Sequence, residues 1–153
     1  MTRFILDTNI VLHYIRGNAL YQRINKENNL SSPESIVMIS ITTVGELLSI
    51  GKQMNWGPKK IQSFENFLRI ILVIDINKSD EKLIETYAEI DAYSQGNLEE
   101  QPLGMSARNM GKNDLWIAAT AKVADASLIT TDNDFDHLHK TFIEVIKYDP
   151  KIF

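Results

Sequence analysis

Four acidic residues stand at similar places in an otherwise apolar chain. Asp7 follows Phe4-Ile5-Leu6, and Glu46 lies in Thr43-Val44-Gly45-Glu46-Leu47. Asp114 precedes Leu115-Trp116-Ile117. Asp132 follows Leu128-Ile129-Thr130-Thr131, with Asp134 and Asp136 close behind. Carboxylates that converge on one spot cannot all stay ionised without compensation. A bound divalent cation supplies it, and all-oxygen donors suit Mg²⁺ or Mn²⁺. Such a centre acidifies water and stabilises both oxygens of an in-line phosphodiester displacement. Thr8, Asn9, Thr43, Asn113 and Thr130 are the neutral neighbours able to hold waters or orient these acids.

Helix capping competes with this reading. Asp, Asn and Thr are favoured N-caps. Thr43 and Glu46 have the spacing of a capping box. Asn113 suits the cap of the helix that Asp114 enters, and Asp114 suits the positive end of that helix dipole. Asp132 suits the cap of the short helix after it. Each acid taken singly is open to this explanation. Two features count against it for the set: Asp7, Glu46 and Asp114 have strongly apolar flanks, and their convergence needs a counter-charge.

The pattern of the chain predicts the frame that positions them. Arg3 to Leu6 reads as a buried strand, Asn9 to Gly17 as a helix stopped by glycine, and Leu20 to Asn28 as a second short helix. Ser35 to Ile41 is a strand and Thr42 to Asn55 a helix weakened by Gly45 and Gly51. Pro58 opens a helix reaching about Arg69. Ile71 to Ile74 is a strand ended by Asp75, Asp80 to Ser94 a helix, and Gln95 to Gly111 a loop. Asn113 to Ala124 is an alanine-rich helix, Ser127 to Thr130 a strand, Asp134 to His139 a short helix, and Phe142 to Tyr148 the last strand. Strands alternating with helices imply a three-layer α/β/α fold with a five-stranded parallel sheet. In such sheets ligands bind beyond the carboxyl ends of the strands, where these acids fall.

Composition is ordinary for a globular chain. The 153 residues suit one domain, 1–153, with 44% hydrophobic and 24% charged residues. There is no cysteine, which excludes structural disulfides and Cys-based metal sites and favours a reducing cytoplasm. The longest apolar run, Ile70 to Ile74, is too short to span a bilayer, and Asp7 interrupts any signal-like start. The net charge of −4 argues against a binder that grips nucleic acid by overall charge. It leaves room for a nuclease whose acids hold cations, which reverse the local field.

The motifs Leu6-Asp7-Thr8-Asn9, Thr43-x-x-Glu46-Leu47, Asn113 to Ala121 and Leu128 to Phe135 together resemble the PIN-domain ribonucleases. Among these the VapC-type toxins of toxin–antitoxin pairs are the most similar. The match spans nearly the whole chain in the family's order. The resemblance implies a magnesium- or manganese-dependent endoribonuclease, with Asp7, Glu46 and Asp114 as its main metal-binding acids. Asp132 falls on the fourth acid, with Asp134 as a further acidic position beside it. It also implies a homodimer and a small antitoxin partner. One stretch departs from the family. Glu99 to Asp114 is several residues longer than in typical relatives, and it carries Arg108 and Lys112. These two are candidates for contacts to RNA phosphates, or simply solvated loop charges.

Two other functions compete. A phosphoacceptor receiver domain would need an acceptor at the end of strand three, where Asp75 stands, and a lysine after strand five. Lys147 falls inside the last strand instead. A PIN-like module that binds RNA or protein without cutting would be expected to lack some acids, and all four are present. His13, His137 and His139 have no metal-set spacing and are expected at the surface or beside caps. Trp116 is expected to pack, and Trp56 to sit in an exposed turn.

Overall fold

The computed structural model describes residues 1–151. Five strands, β1 (Thr2–Leu6), β2 (Ser35–Ser40), β3 (Leu72–Ile74), β4 (Ser127–Thr130) and β5 (Val145–Lys147), form one sheet in the order β3-β2-β1-β4-β5. Every neighbouring pair is parallel. The helices are α1 (Thr8–Ile15), α2 (Ala19–Asn28), α3 (Ile41–Gln53), α4 (Pro58–Ile70), α5 (Glu81–Ser94) and α6 (Lys112–Ala124), and a 3₁₀ helix spans Asn133–Leu138.

Alternation along β1 sorts the layers, because successive strand side chains point to opposite faces. Phe4 and Leu6 join Ile39 and Ile129 in a core with Ile10, Ile24, Leu47 and Phe67 from α1 to α4. Ile5 joins Leu128 and Val145 in a second core with Leu83 and Ile90 of α5 and Leu115 and Ala118 of α6. The sheet is therefore covered on both faces, as an all-parallel sheet requires. From β1 the chain winds outward through β2 to β3, then crosses to β4 and β5 on the other side. The winding reverses between β1 and β4, and the register pairs Leu6 with Ile129. A ligand crevice is expected just beyond those two strand ends.

Several boundaries differ from the sequence expectation. Helix α3 begins at Ile41, capped by Ser40, whose hydroxyl accepts from Thr42 N at 3.1 Å. Thr43 and Glu46 therefore lie inside the helix and form no capping box. The last strand shortens to Val145–Lys147, because the amides of Thr141, Phe142 and Ile143 all turn back to the Leu138 carbonyl. Phe142 packs edge-on to Tyr93 instead, with ring centroids 5.1 Å apart. Gly51 is used for closeness: a Cβ there would stand 2.8 Å from the ring of Trp56. Trp56 is half-buried rather than exposed, and its ring meets Phe64 edge-on. Trp116 packs against Tyr87 with centroids 4.2 Å apart, as expected of a packing residue.

Candidate metal centre

Asp7 leaves the end of β1 at the reversal point and is only 4% exposed. It caps α1, since its Oδ1 accepts from Thr8 N at 2.7 Å. Its Oδ2 accepts from the Thr130 hydroxyl at 2.7 Å, across from the end of β4. Both oxygens are thus fixed in direction. The chain leaving β4 carries Asp132, which caps the 3₁₀ helix by accepting from Asp134 N at 2.9 Å. Thr130 Oγ1 also accepts from Asp132 N at 3.0 Å, so one hydroxyl links the two turns.

Glu46 comes from the second turn of α3, not the first. Its Oε1 accepts from the Thr8 hydroxyl at 2.8 Å, and Thr8 Oγ1 hydrogen-bonds Thr43 Oγ1 at 3.2 Å. Asp114 sits in the first turn of α6, whose N-cap is Gly111. Asn113 lies inside that helix and does not cap it. One carboxylate oxygen each from Asp114, Asp132 and Asp134 falls within 4.8 Å of the others. Asp132 and Asp134 therefore both belong to the cluster. Asp7 and Glu46 lie outside that tight group but inside its field.

Burial and mutual repulsion leave a clear electrostatic mark. Burial raises the Asp7 pKa to about 6; the Thr130 and Thr8 hydrogen bonds oppose the rise, and the charges of Asp132 and Glu46 add to it. Asp114 rises to about 7, first through burial and then through Asp7, Asp132, Glu46 and Asp134. Among the described residues none of these five acids has an ion-pair partner; the two ion pairs formed are Arg23–Glu27 and Lys147–Asp136. A hard divalent cation fits this all-oxygen, uncompensated donor set.

Other candidate residues divide. Thr8, Thr43 and Thr130 are buried beside the acids. Asn9 and Asn113 are exposed and make no side-chain hydrogen bond among the described residues. Glu46 also borders a groove of about 490 Å³ together with Thr42, Ser49, Gln53 and Asn113. A separate cavity of about 620 Å³ lies along α1 and α2 beside Tyr14, Tyr21 and Asn25. His137 corrects the sequence expectation: it is buried, and its Nε2 meets Ser94 Oγ at 2.7 Å. No spacing advertised that pair, because its members stand 43 residues apart in the chain.

The receiver alternative does not survive the topology. Receiver-like sheets place strand three at the centre, whereas here β3 is an edge strand and Asp75 after it is exposed. Lys147 Nζ donates to Asn133 Oδ1 and Asp136 Oδ2.

The molecule is thus an all-parallel α/β protein with carboxylates gathered where the winding of its sheet reverses. The PIN-domain model matches residues 4–140, and the chain belongs to the PIN-domain family. Its fold is similar to a chain of VapBC2 from Rickettsia felis, solved bound to a DNA fragment from its promoter, at 21% identity. That match covers 97% of this chain and 100% of the other, with a TM-score of 0.71. VapBC-1 from nontypeable Haemophilus influenzae is similar at 21% identity over 95% and 98% of the two chains, TM-score 0.68. FitAcB from Neisseria gonorrhoeae is similar at 23% identity over 98% and 99%, TM-score 0.64. No curated protein sequence matches.

Proposed function

We propose that this chain is a Mg²⁺- or Mn²⁺-dependent endoribonuclease and the toxin of a type II toxin–antitoxin pair. The observation that carries the reading is the meeting of Asp114, Asp132 and Asp134 within 4.8 Å, with Asp7 and Glu46 in the same field and, among the described residues, no Lys or Arg paired to any of them. Asp7, Glu46, Asp114 and Asp132 would hold the metal, with Asp134 joining them. When bound, a divalent cation supplies positive charge to a phosphodiester and acidity to a water molecule. The protein's own part is orientation. Thr8 and Thr130 hold Asp7 in one pose, and Thr8 holds Glu46. Asp114, with its pKa raised to about 7, is protonated in about half the molecules at neutral pH, and it would lose that proton to hold a cation.

The reading brings with it a small antitoxin partner, a homodimer, a single domain and a cytoplasmic place of action. Similarity to chains from toxin–antitoxin complexes supports the partner. No helix among the described residues is long and apolar enough to cross a membrane. The deciding experiment incubates the full chain with structured RNAs in Mg²⁺, in Mn²⁺ and in chelator. Cleavage with either metal and none in chelator is expected. Mn²⁺ binding without any cleavage would instead favour a PIN-like module that binds without cutting.

Thr8→Val tests the orienting role. The change is nearly isosteric and removes the hydroxyl that fixes Glu46. Cleavage is expected to fall about 10- to 100-fold, the usual effect of losing a partner behind a metal ligand. Stability should fall by only about 1 kcal/mol. Thr8→Ser should restore activity, and steady-state kinetics beside a melting curve reads both.

A further inference from the structure

The segment between α5 and α6 is anchored rather than loose. Leu103 and Met110 are buried in the core shared with α5 and α6. Arg108 N donates to the carbonyl of Ser94, the last residue of α5, at 2.7 Å. Ser94 is itself buried and meets His137 Nε2 of the 3₁₀ helix at 2.7 Å. The guanidinium of Arg108 reaches that same helix independently, with Nη1 donating to the Asn133 carbonyl at 3.4 Å. Arg108 is thus gripped at backbone and side chain by two points that the Ser94–His137 bond ties together. Asn133 lies between Asp132 and Asp134, two members of the acidic cluster.

A guanidinium carries five N–H donors. Asn133 takes one, and among the described residues Arg108 forms no ion pair with any carboxylate. A half-buried cation is therefore held near the cluster and out of contact with it, with donors to spare. Lys147, the other cation at this turn, is already engaged by Asn133 and Asp136. Lys112 is exposed and makes no ion pair among the described residues, so ordering its long side chain would cost rotamer entropy that the seated arginine has already lost.

Building on the proposed RNA cleavage, we infer that Arg108 binds a phosphate of the RNA strand next to the one that is cut. A group outside ion-pair reach of the acids addresses the neighbouring phosphate rather than the one facing the cluster. Its fork matches two phosphate oxygens. Such a contact sets the position of the strand and reads no base.

The test compares wild type with Arg108→Gln, which keeps a donor for the Asn133 carbonyl and removes the charge. The probe is an unstructured, mixed-sequence oligoribonucleotide cut in Mn²⁺, with Mn²⁺ binding followed separately by calorimetry. KM is expected to rise about tenfold with kcat nearly unchanged, as for a lost hydrogen bond to a charged group. The slope of log affinity against log salt should shrink by about 0.7, one single-strand phosphate contact. Mn²⁺ affinity should not change. Arg108→Lys should keep the full salt slope with an intermediate KM, and it serves also if the glutamine variant folds poorly. An unchanged KM and salt slope with intact Mn²⁺ binding overturns the inference and leaves the nuclease reading standing. A fall in kcat and Mn²⁺ affinity at constant KM overturns it too, since Arg108 would then be positioning the acids. A wild-type chain that cuts no RNA overturns both.

Discussion

Asp114→Asn is expected to abolish RNA cleavage, by at least about 100-fold, while raising the melting temperature in metal-free buffer at pH 8. The loss follows from its place in the acidic cluster: even partners that only orient a ligand are worth about 10- to 100-fold. The gain follows from charge. Asp114 is forced to ionise at pH 8 among Asp7, Asp132, Glu46 and Asp134, which hold its pKa up at about 7. An amide of the same shape removes that repulsion. Asp7→Asn should behave alike, with stability preserved or raised. Its amide oxygen still accepts from Thr8 N, and the NH₂ faces Thr130 Oγ1, which can turn to accept. At about 2–4 °C per kcal/mol for a chain of this size, calorimetry resolves the change. If both variants melt well below wild type, Asp7 and Asp114 are structural caps and the metal centre is refuted.

Stability of the cation-free protein is expected to fall as pH rises from about 5 to 8, the reverse of ordinary carboxylate behaviour. The sign follows from linkage. Asp7 has a folded pKa of about 6 against the ordinary 3.8, so the folded state binds the extra proton between those values. Its stabilising share is full below the unfolded pKa and is lost as pH climbs through the folded one. Two units correspond to about 3 kcal/mol. Asp114 acts in the same direction, with solvent screening reducing its share. Saturating Mn²⁺ should reverse the trend at pH 8, adding about 2.7 kcal/mol at 100 times its dissociation constant. The benefit should shrink below pH 6, where protons compete for the same oxygens. Melting curves at pH 5, 6.5 and 8, in chelator and in Mn²⁺, read the whole pattern. A melting temperature that rises from pH 5 to 8 in chelator, equally in wild type and Asp114→Asn, would show that the acids do not repel one another.

Much of this was legible in the chain because it depends on local rules. Period-two and period-3.6 apolar patterns carried the strands and helices, and five strands alternating with helices required parallel pairing and cover on both faces. The acids at strand ends and in a first helical turn followed from the same reading, as did Thr8, Thr43 and Thr130 beside them. Local chemistry misplaced some details. Thr43 and Glu46 have capping-box spacing, but Ser40 holds the cap, so Glu46 turns toward Thr8 instead. Phe142 to Tyr148 looks β-rich, yet half of it folds back onto Leu138 because Phe142 packs against Tyr93.

Sequence alone thus determined the class of fold and the acidic character of its strand ends, since periodicity fixes which face is buried and residue type fixes which side chains carry charge. Only the tertiary structure decided which oxygens meet. It placed Asp134 with Asp132 and Asp114, and it buried His137 against Ser94. It also seated Arg108 on the carbonyl between two acids. Those relations join segments far apart in the chain, and hydrogen bonds and repulsions of a few ångströms exist only once packing has brought their partners together.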